Sequence, residues 1–304
     1  MYFYLEWINK RPSIIKIQNE KPSTINFRNT FKIKGSEEEI IICGNISNQF
    51  REYYPSPKKI YKNNQYLQSH LQKCVRRMQT YKSIKTAKHL IDLDLTTFIR
   101  RLPIIMLEDV CIHESISVII WLMISIHKGF RIRCEMIKWL LGVVYYLSTE
   151  EKKDNYLNKD RVETKFSIDH QLKDILYPLR YRKAYGGMKG DMNMIEYYIH
   201  ELTNLRLKPT TDKITLIKLT MDPLPYKEWV YQANDFHCNK SIIPRIKNHF
   251  PKYPEEYIQR LIWYFSSSTN LRIKDDIEHP KQMIKDWEKI KGTVKRIQKT
   301  CKYY

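Results

Sequence analysis

Small residues are scarce in this chain: three alanines (Ala87, Ala184, Ala233) and eight glycines stand in 304 positions. Ile, Lys, Asn and Tyr are abundant instead, the bias an AT-rich genome imposes, so part of the formal net charge of +20 follows from codon usage. Paired cysteines are also missing. The six (Cys43, Cys74, Cys111, Cys134, Cys238, Cys301) form no CxxC pair, and two fall in apolar helical patterns as free buried thiols do, so a reducing compartment is expected. Long apolar runs are absent as well. Ser115–Ile126 and Met136–Leu147 are each about a dozen residues, against roughly 20 needed to cross a bilayer. They read as buried helices, and no N-terminal stretch has the apolar core of a signal peptide. A soluble, intracellular protein of the cytoplasm or nucleus, without membrane contact, is expected. Hydrophobic content of 42% and charged content of 28% exclude a disordered chain, and the length can bury one large core or two modest ones.

The most informative absence is local. Between positions 53 and 91 there is no Asp or Glu, against nine cations: Lys58, Lys59, Lys62, Lys73, Arg76, Arg77, Lys82, Lys85 and Lys88. A segment without counter-charges keeps a positive potential, and nucleic-acid phosphates are its most common partner. A solvated basic face, or one that docks an acidic protein, is the alternative.

The order of patterns along the chain predicts a mainly α fold with a small N-terminal β element and a helical C-terminal region. Ser13–Ile17, Phe31–Lys34 and Glu39–Cys43 read as strands of a small antiparallel element within 1–57, closed by Pro55-Ser56-Pro57. A helical domain over 58–150 follows. It opens with a helix near Asn63–Gln79, with Leu67, Leu71, Cys74 and Met78 on one face and Lys73, Arg76 and Arg77 off it. A second covers Tyr81–Ile91. Asp94 reads as the N-cap of a third, which Pro103 is expected to kink. Residues 160–304 carry further helices at 166–182, from the cap Asp191 to Leu205, at 241–248 and 255–266, and a long basic one over 279–301. That last helix places Met283, Trp287, Ile290, Val294, Ile297 and Cys301 at heptad spacing, a seam read as packing onto its own domain. Its other face carries Lys285, Lys289, Lys295, Arg296 and Lys299.

Residues 66–149 resemble a known module. The run Tyr66-Leu67-Gln68-Ser69-His70-Leu71-Gln72-Lys73-Cys74-Val75-Arg76, a following helix with Ala87, Phe98-Ile99-Arg100-Arg101-Leu102, Leu107-Glu108-Asp109-Val110 and the apolar Leu140–Leu147 are similar to the helical oligomerisation collar of replication-associated AAA+ ATPases. The group meant is that of bacterial RarA (MgsA) and the Werner-helicase-interacting proteins. Cys111 stands where the family has Gly, and no GxxxxGK[ST] occurs, so the resemblance implies a multi-helix collar-like bundle without ATP hydrolysis or cofactor, acting near DNA replication, recombination or repair. A homo-oligomer and replication proteins as partners stay open.

Several segments invite chemistry. Glu108 and Asp109 are adjacent, about 100° apart on a helix, and read with Arg100 and Arg101 as structural ion pairs rather than nuclease metal ligands. Asp235-Phe236-His237-Cys238 with His249 lacks the spacing of a zinc site. Gly186–Gly190 reads as a helix-ending turn, with a phosphate contact at Lys189, Arg180 and Arg182 as runner-up. Trp263, Tyr264 and Phe265, before Asn270 and Arg272, read as core before base-stacking. No catalytic residue and no metal ligand is assigned. The expectation is a non-enzymatic protein that binds nucleic acid, DNA before RNA, through Lys58–Lys88, Lys189, Lys295, Arg296 and Lys299. An oligomeric scaffold, such as a virion or replication-complex subunit that meets acidic proteins, is one rival. A metal-dependent nuclease is the lesser one.

Overall fold

The computed structural model describes residues 1–33, 37–56, 63–155, 166–220, 239–267, 269–274 and 280–300. The fold is mainly α, with a small N-terminal sheet. Its contacts divide the chain into two compact units. One comprises Met1–Pro55, Leu95–Val143 and Asp154–Leu219; the other comprises Ser56–Asp94, Val144–Lys153 and Thr220–Tyr304. The 58–150 stretch is shared, because α2 (Thr80–Asp109) and α4 (Cys134–Thr149) each contribute to both units.

In the first unit, β1 (Tyr2–Trp7), β2 (Ile14–Gln18), β3 (Phe27–Lys32) and β4 (Glu39–Ile46) form a sheet of order β2-β1-β4-β3. Its central pair, β1 and β4, is parallel, so the sheet is mixed where an antiparallel element was expected. Phe3, Leu5, Trp7, Ile40 and Ile42 are all fully buried, as central strands require. Helix α3 (Ser115–His127) is buried at every position from Ser115 to Ser125 and is the centre of this core. Trp121 fastens it to both central strands, its indole N–H shared between the carbonyls of Phe3 (3.2 Å) and Cys43 (3.0 Å).

Next come α5 (Lys173–Ala184), packed on α3, and α6 (Lys189–Thr203), packed on α5. Asp174 in the first turn of α5 binds two neighbours: its carboxylate accepts from the Ile17 amide (2.6 Å) and its carbonyl from the Ser117 hydroxyl (2.6 Å). Residues 167–172, expected as helix, are turns, since the His170 ring accepts the Leu172 amide (3.0 Å). A strap over 210–217 closes the unit, its Ile217 amide bonded to the Lys138 carbonyl (3.1 Å) of α4.

The second unit holds α1 (Asn64–Arg76), the first segment of α2, the end of α4, α7 (Asn239–His249), α8 (Glu255–Ile262), a π-helical turn (Trp263–Ser267) and α9 (Lys281–Thr300). Asn63 caps α1 by accepting the Tyr66 amide (3.0 Å). The backbone of α2 is extended at Asp94 (φ −159°, ψ 89°), where the N-cap of a new helix was expected; the departure falls there and not at Pro103. Asp94 also accepts from the Asn64 side chain (2.8 Å). The heptad seam of α9 faces inward: Met283, Ile290, Val294 and Ile297 are buried among Ile242, Ile246, Ile258 and Leu261 of α7 and α8. Trp287 stacks on Phe265 with centroids 5.5 Å apart. Cys301 lies outside the described residues.

One side chain ties this unit together. Arg272 donates from Nη1 to the carbonyls of Val75 (3.0 Å) and Arg76 (3.4 Å), from Nη2 to Leu147 (2.5 Å) and from Nε to Glu150 (2.7 Å). It thus adds a cation at the C-termini of α1 and α4, beside the Met78 amide on the Val75 carbonyl (3.0 Å) and the Leu271 amide on the Arg76 carbonyl (3.2 Å).

Gly142 marks where the first unit tolerates no side chain. A Cβ there would stand 1.9 Å from the Thr215 carbonyl oxygen of the strap. Gly142→Ala is expected to destabilise the protein by about 2–3 kcal/mol or more, as overpacking against backbone does. A urea titration followed by circular dichroism reads this as a lowered midpoint; an unchanged midpoint contradicts the close approach.

Candidate nucleic-acid interface

The basic segment is not the open face its composition implied. Lys58, Lys59 and Lys62 lie outside the described residues. Helix α1 is buried over most of its length, at Tyr66, Leu67, His70, Leu71, Gln72, Lys73, Cys74 and Val75. Lys73, expected off the apolar face, is 4% exposed. The 270–272 segment bonds the end of this helix: beside the Arg272 contacts, the Leu271 amide donates to the Arg76 carbonyl (3.2 Å). Arg76 and Arg77 are half-buried, and burial lowers the Arg77 pKa to about 10, so it stays cationic at neutral pH.

On α2, Lys88 forms an ion pair with Asp92 (2.6 Å), which also accepts the Ser56 amide (3.1 Å), so Lys88 leaves the set of surface cations. Lys82 and Lys85 are half-buried. Lys85 lies over the exposed ring of Tyr81, 4.4 Å from its centroid.

The exposed cations of this unit stand on α9. Lys281, Lys285, Lys289, Lys295 and Arg296 are all exposed, at spacings that keep them on the side opposite the buried seam. Lys299 belongs to the same helix. Of the two acids of α9, Asp286 is buried and pairs with Lys289 (3.1 Å), and exposed Glu288 pairs with Lys291.

The proposed ion pairs are partly reassembled. Arg101 meets Asp191 (3.3 Å) and Glu108 (3.9 Å); Asp109 is buried and Arg100 exposed. Asp191 is no N-cap: α6 starts at Lys189, and Asp191 in its first turn takes the Arg101 contact. Gly186 and Gly187 have φ of +74° and +157° and end α5 in a turn. Arg182 is buried there, donating to the carbonyls of Gly186 (2.9 Å) and Arg100 (3.1 Å), and burial lowers its pKa to about 10. It therefore supports the turn, whereas Lys189 is exposed. Arg180 pairs with Glu38 (3.5 Å).

Other chemistry fares likewise. Among the described residues no three His, Cys, Asp or Glu approach one another as metal ligands would. Residues 235–238 lie outside the description, and the His249 ring bonds the Arg245 carbonyl (2.9 Å). A Cys–His pair that sequence reading missed occurs at i, i+4 on α1, Cys74 Sγ lying 3.6 Å from His70 Nδ1. Burial pushes that thiol up to about 12, the reverse of an activated nucleophile. Phe265 is committed to Trp287, and Arg260 lies over Tyr264 (5.9 Å), while Trp263 is 42% exposed.

Asp286 anchors the basic helix from beneath. Its carboxylate accepts from Tyr253 (2.7 Å), Gln282 (2.9 Å), Lys289 (3.1 Å) and Tyr257 (3.1 Å), bonds that hold its pKa well below the usual carboxylate range, that from Tyr253 most. A depressed carboxylate contributes stability that is present above its unfolded value, about 3.9, and lost as pH falls through the folded one. Wild type and Asp286→Asn are therefore expected to differ most in urea stability above about pH 4, the gap narrowing at lower pH. A pH-independent gap contradicts the assignment. Compared with protein-family models, curated proteins and solved structures, the chain matches none.

Proposed function

We propose that this chain is a non-enzymatic nucleic-acid-binding protein that grips the phosphate backbone, DNA before RNA, with the outer face of α9 as its principal contact. The observation that carries the reading is the stripe of exposed cations at Lys281, Lys285, Lys289, Lys295 and Arg296, whose helix has its apolar seam buried in its own unit. Lys82 and Lys85, beside exposed Tyr81, form a second and smaller contact. Phosphate contacts of this kind position a protein on nucleic acid without reading its sequence. A role in replication, recombination or repair rests on the likeness of residues 66–149 to the ATPase collar.

Charge reversal tests the helix directly. Lys281, Lys285, Lys295 and Arg296 all replaced by Glu should weaken binding to a short DNA duplex by about a hundredfold or more, at roughly 1 kcal/mol per lost contact. The urea midpoint should hold, since these side chains are exposed. Unchanged affinity in the folded variant, read by fluorescence anisotropy, would remove α9 from the interface.

A further inference from the structure

Two tyrosines of the second unit stand on helix faces where an amphipathic pattern calls for polar residues. On the first segment of α2 the inward positions are Ser83, Thr86, Ala87, Leu90 and Ile91, all buried. Tyr81 falls on the other side and is 57% exposed. Near the end of α4 the buried positions are Val143, Val144, Leu147 and Ser148, and Tyr145 turns outward, 37% exposed.

One junction relates the two rings. Thr80, which opens α2, donates from its hydroxyl to the Ser148 carbonyl of α4 (3.4 Å). The Ser148 hydroxyl in turn donates to the Tyr145 carbonyl one turn back (2.8 Å). Tyr81 is the residue after Thr80, so the tyrosines flank a single helix contact inside the second unit. Exposed Thr149, one turn after Tyr145, continues the same outward face.

Cations accompany the rings. Lys85, one turn after Tyr81, holds its Nζ over the tyrosine ring, 4.4 Å from the centroid, so that a ring face and a positive charge are presented at one point. Lys82 adds a second cation, half-buried like Lys85. No carboxylate occurs between positions 53 and 91, and the first beyond them, Asp92, is engaged by Lys88 (2.6 Å). At the end of α4, Glu150 accepts the Lys152 amide (2.7 Å), and exposed Glu151 is followed by Lys152 and Lys153.

Ring faces beside cations match one chemistry better than its rivals. Bases inside a duplex spend their π faces on each other, so a duplex offers such a surface its phosphates and leaves the rings unused. An acidic polypeptide would likewise meet the ammonium groups and present no planar face. An unpaired nucleotide carries a base face and a phosphate side by side, and stacking on an aromatic ring accepts any base. We propose that Tyr81 and Tyr145 stack bases of unpaired nucleic acid while Lys82 and Lys85 meet its phosphates, which gives a single strand an affinity increment that a duplex lacks. This preference rests on the nucleic-acid reading above, in which α9 supplies the backbone contact common to both forms.

The test is fluorescence anisotropy of the full chain with an oligothymidine strand, an abasic strand of equal length and a duplex of that length. The thymidine strand should bind about fivefold or more tightly than the abasic one. Tyr81→Ala with Tyr145→Ala should remove that advantage, and Tyr81→Phe with Tyr145→Phe should keep it. Duplex affinity should stay at the wild-type level in both. If the alanine variant does not fold, the comparison of thymidine and abasic strands on the unmodified chain decides. Equal binding of those two strands, equal losses on strand and duplex in the folded alanine variant, or displacement of the thymidine strand by polyglutamate as readily as by itself would overturn the stacking role. Duplex binding that survives such a result removes the stacking alone and leaves α9 in place, whereas no binding to any probe removes both.

Discussion

Everything in the second unit leans on how two helix ends are satisfied. The last carbonyls of α1 and α4 carry partial negative charge and have no amide partner within their helices. Arg272 supplies one planar cation to both ends, reaching Val75 and Arg76 on one side and Leu147 and Glu150 on the other. A lysine has neither the number nor the fixed geometry of donors to do this. Asn270, itself buried, braces the arrangement by accepting the Arg272 amide (3.1 Å).

At the end of α1 that 270–272 bonds, Lys73 is buried and Arg76 and Arg77 are half-buried. The same division of labour recurs in the first unit, where Arg182 holds the carbonyls of Gly186 and Arg100. Arg272 and Arg182 each bond carbonyls inside their own unit, and the cations of α9 at Lys281, Lys285, Lys295 and Arg296 are exposed. Net charge says little about a partner; the segregation of cations by exposure says more.

Much of the fold was legible. Helices α1 and α2, the break at Asp94 and the inward seam of α9 all follow from periodicity and capping residues at short range. Strand β1 was not, because Phe3, Tyr4 and Leu5 are buried in succession and give no alternation to read. Its parallel pairing with β4 is set by contacts about forty residues apart, beyond any local pattern. For the candidate site, the basic residues of α9 could be read from spacing alone. The burial of Lys73 could not, since its charge and its place off the face of Leu67, Leu71 and Cys74 both read as exposed.

The central claim is that a cluster of exposed cations grips a polyanion. It is tested most directly by measuring the affinity of the unmodified chain for a DNA duplex across a series of salt concentrations. Each phosphate neutralised contributes about −0.9 to the slope of log K against log salt. Engagement of Lys281, Lys285, Lys295 and Arg296 predicts a slope of about −3.6. A slope near zero, or no binding even at low salt, would contradict the account.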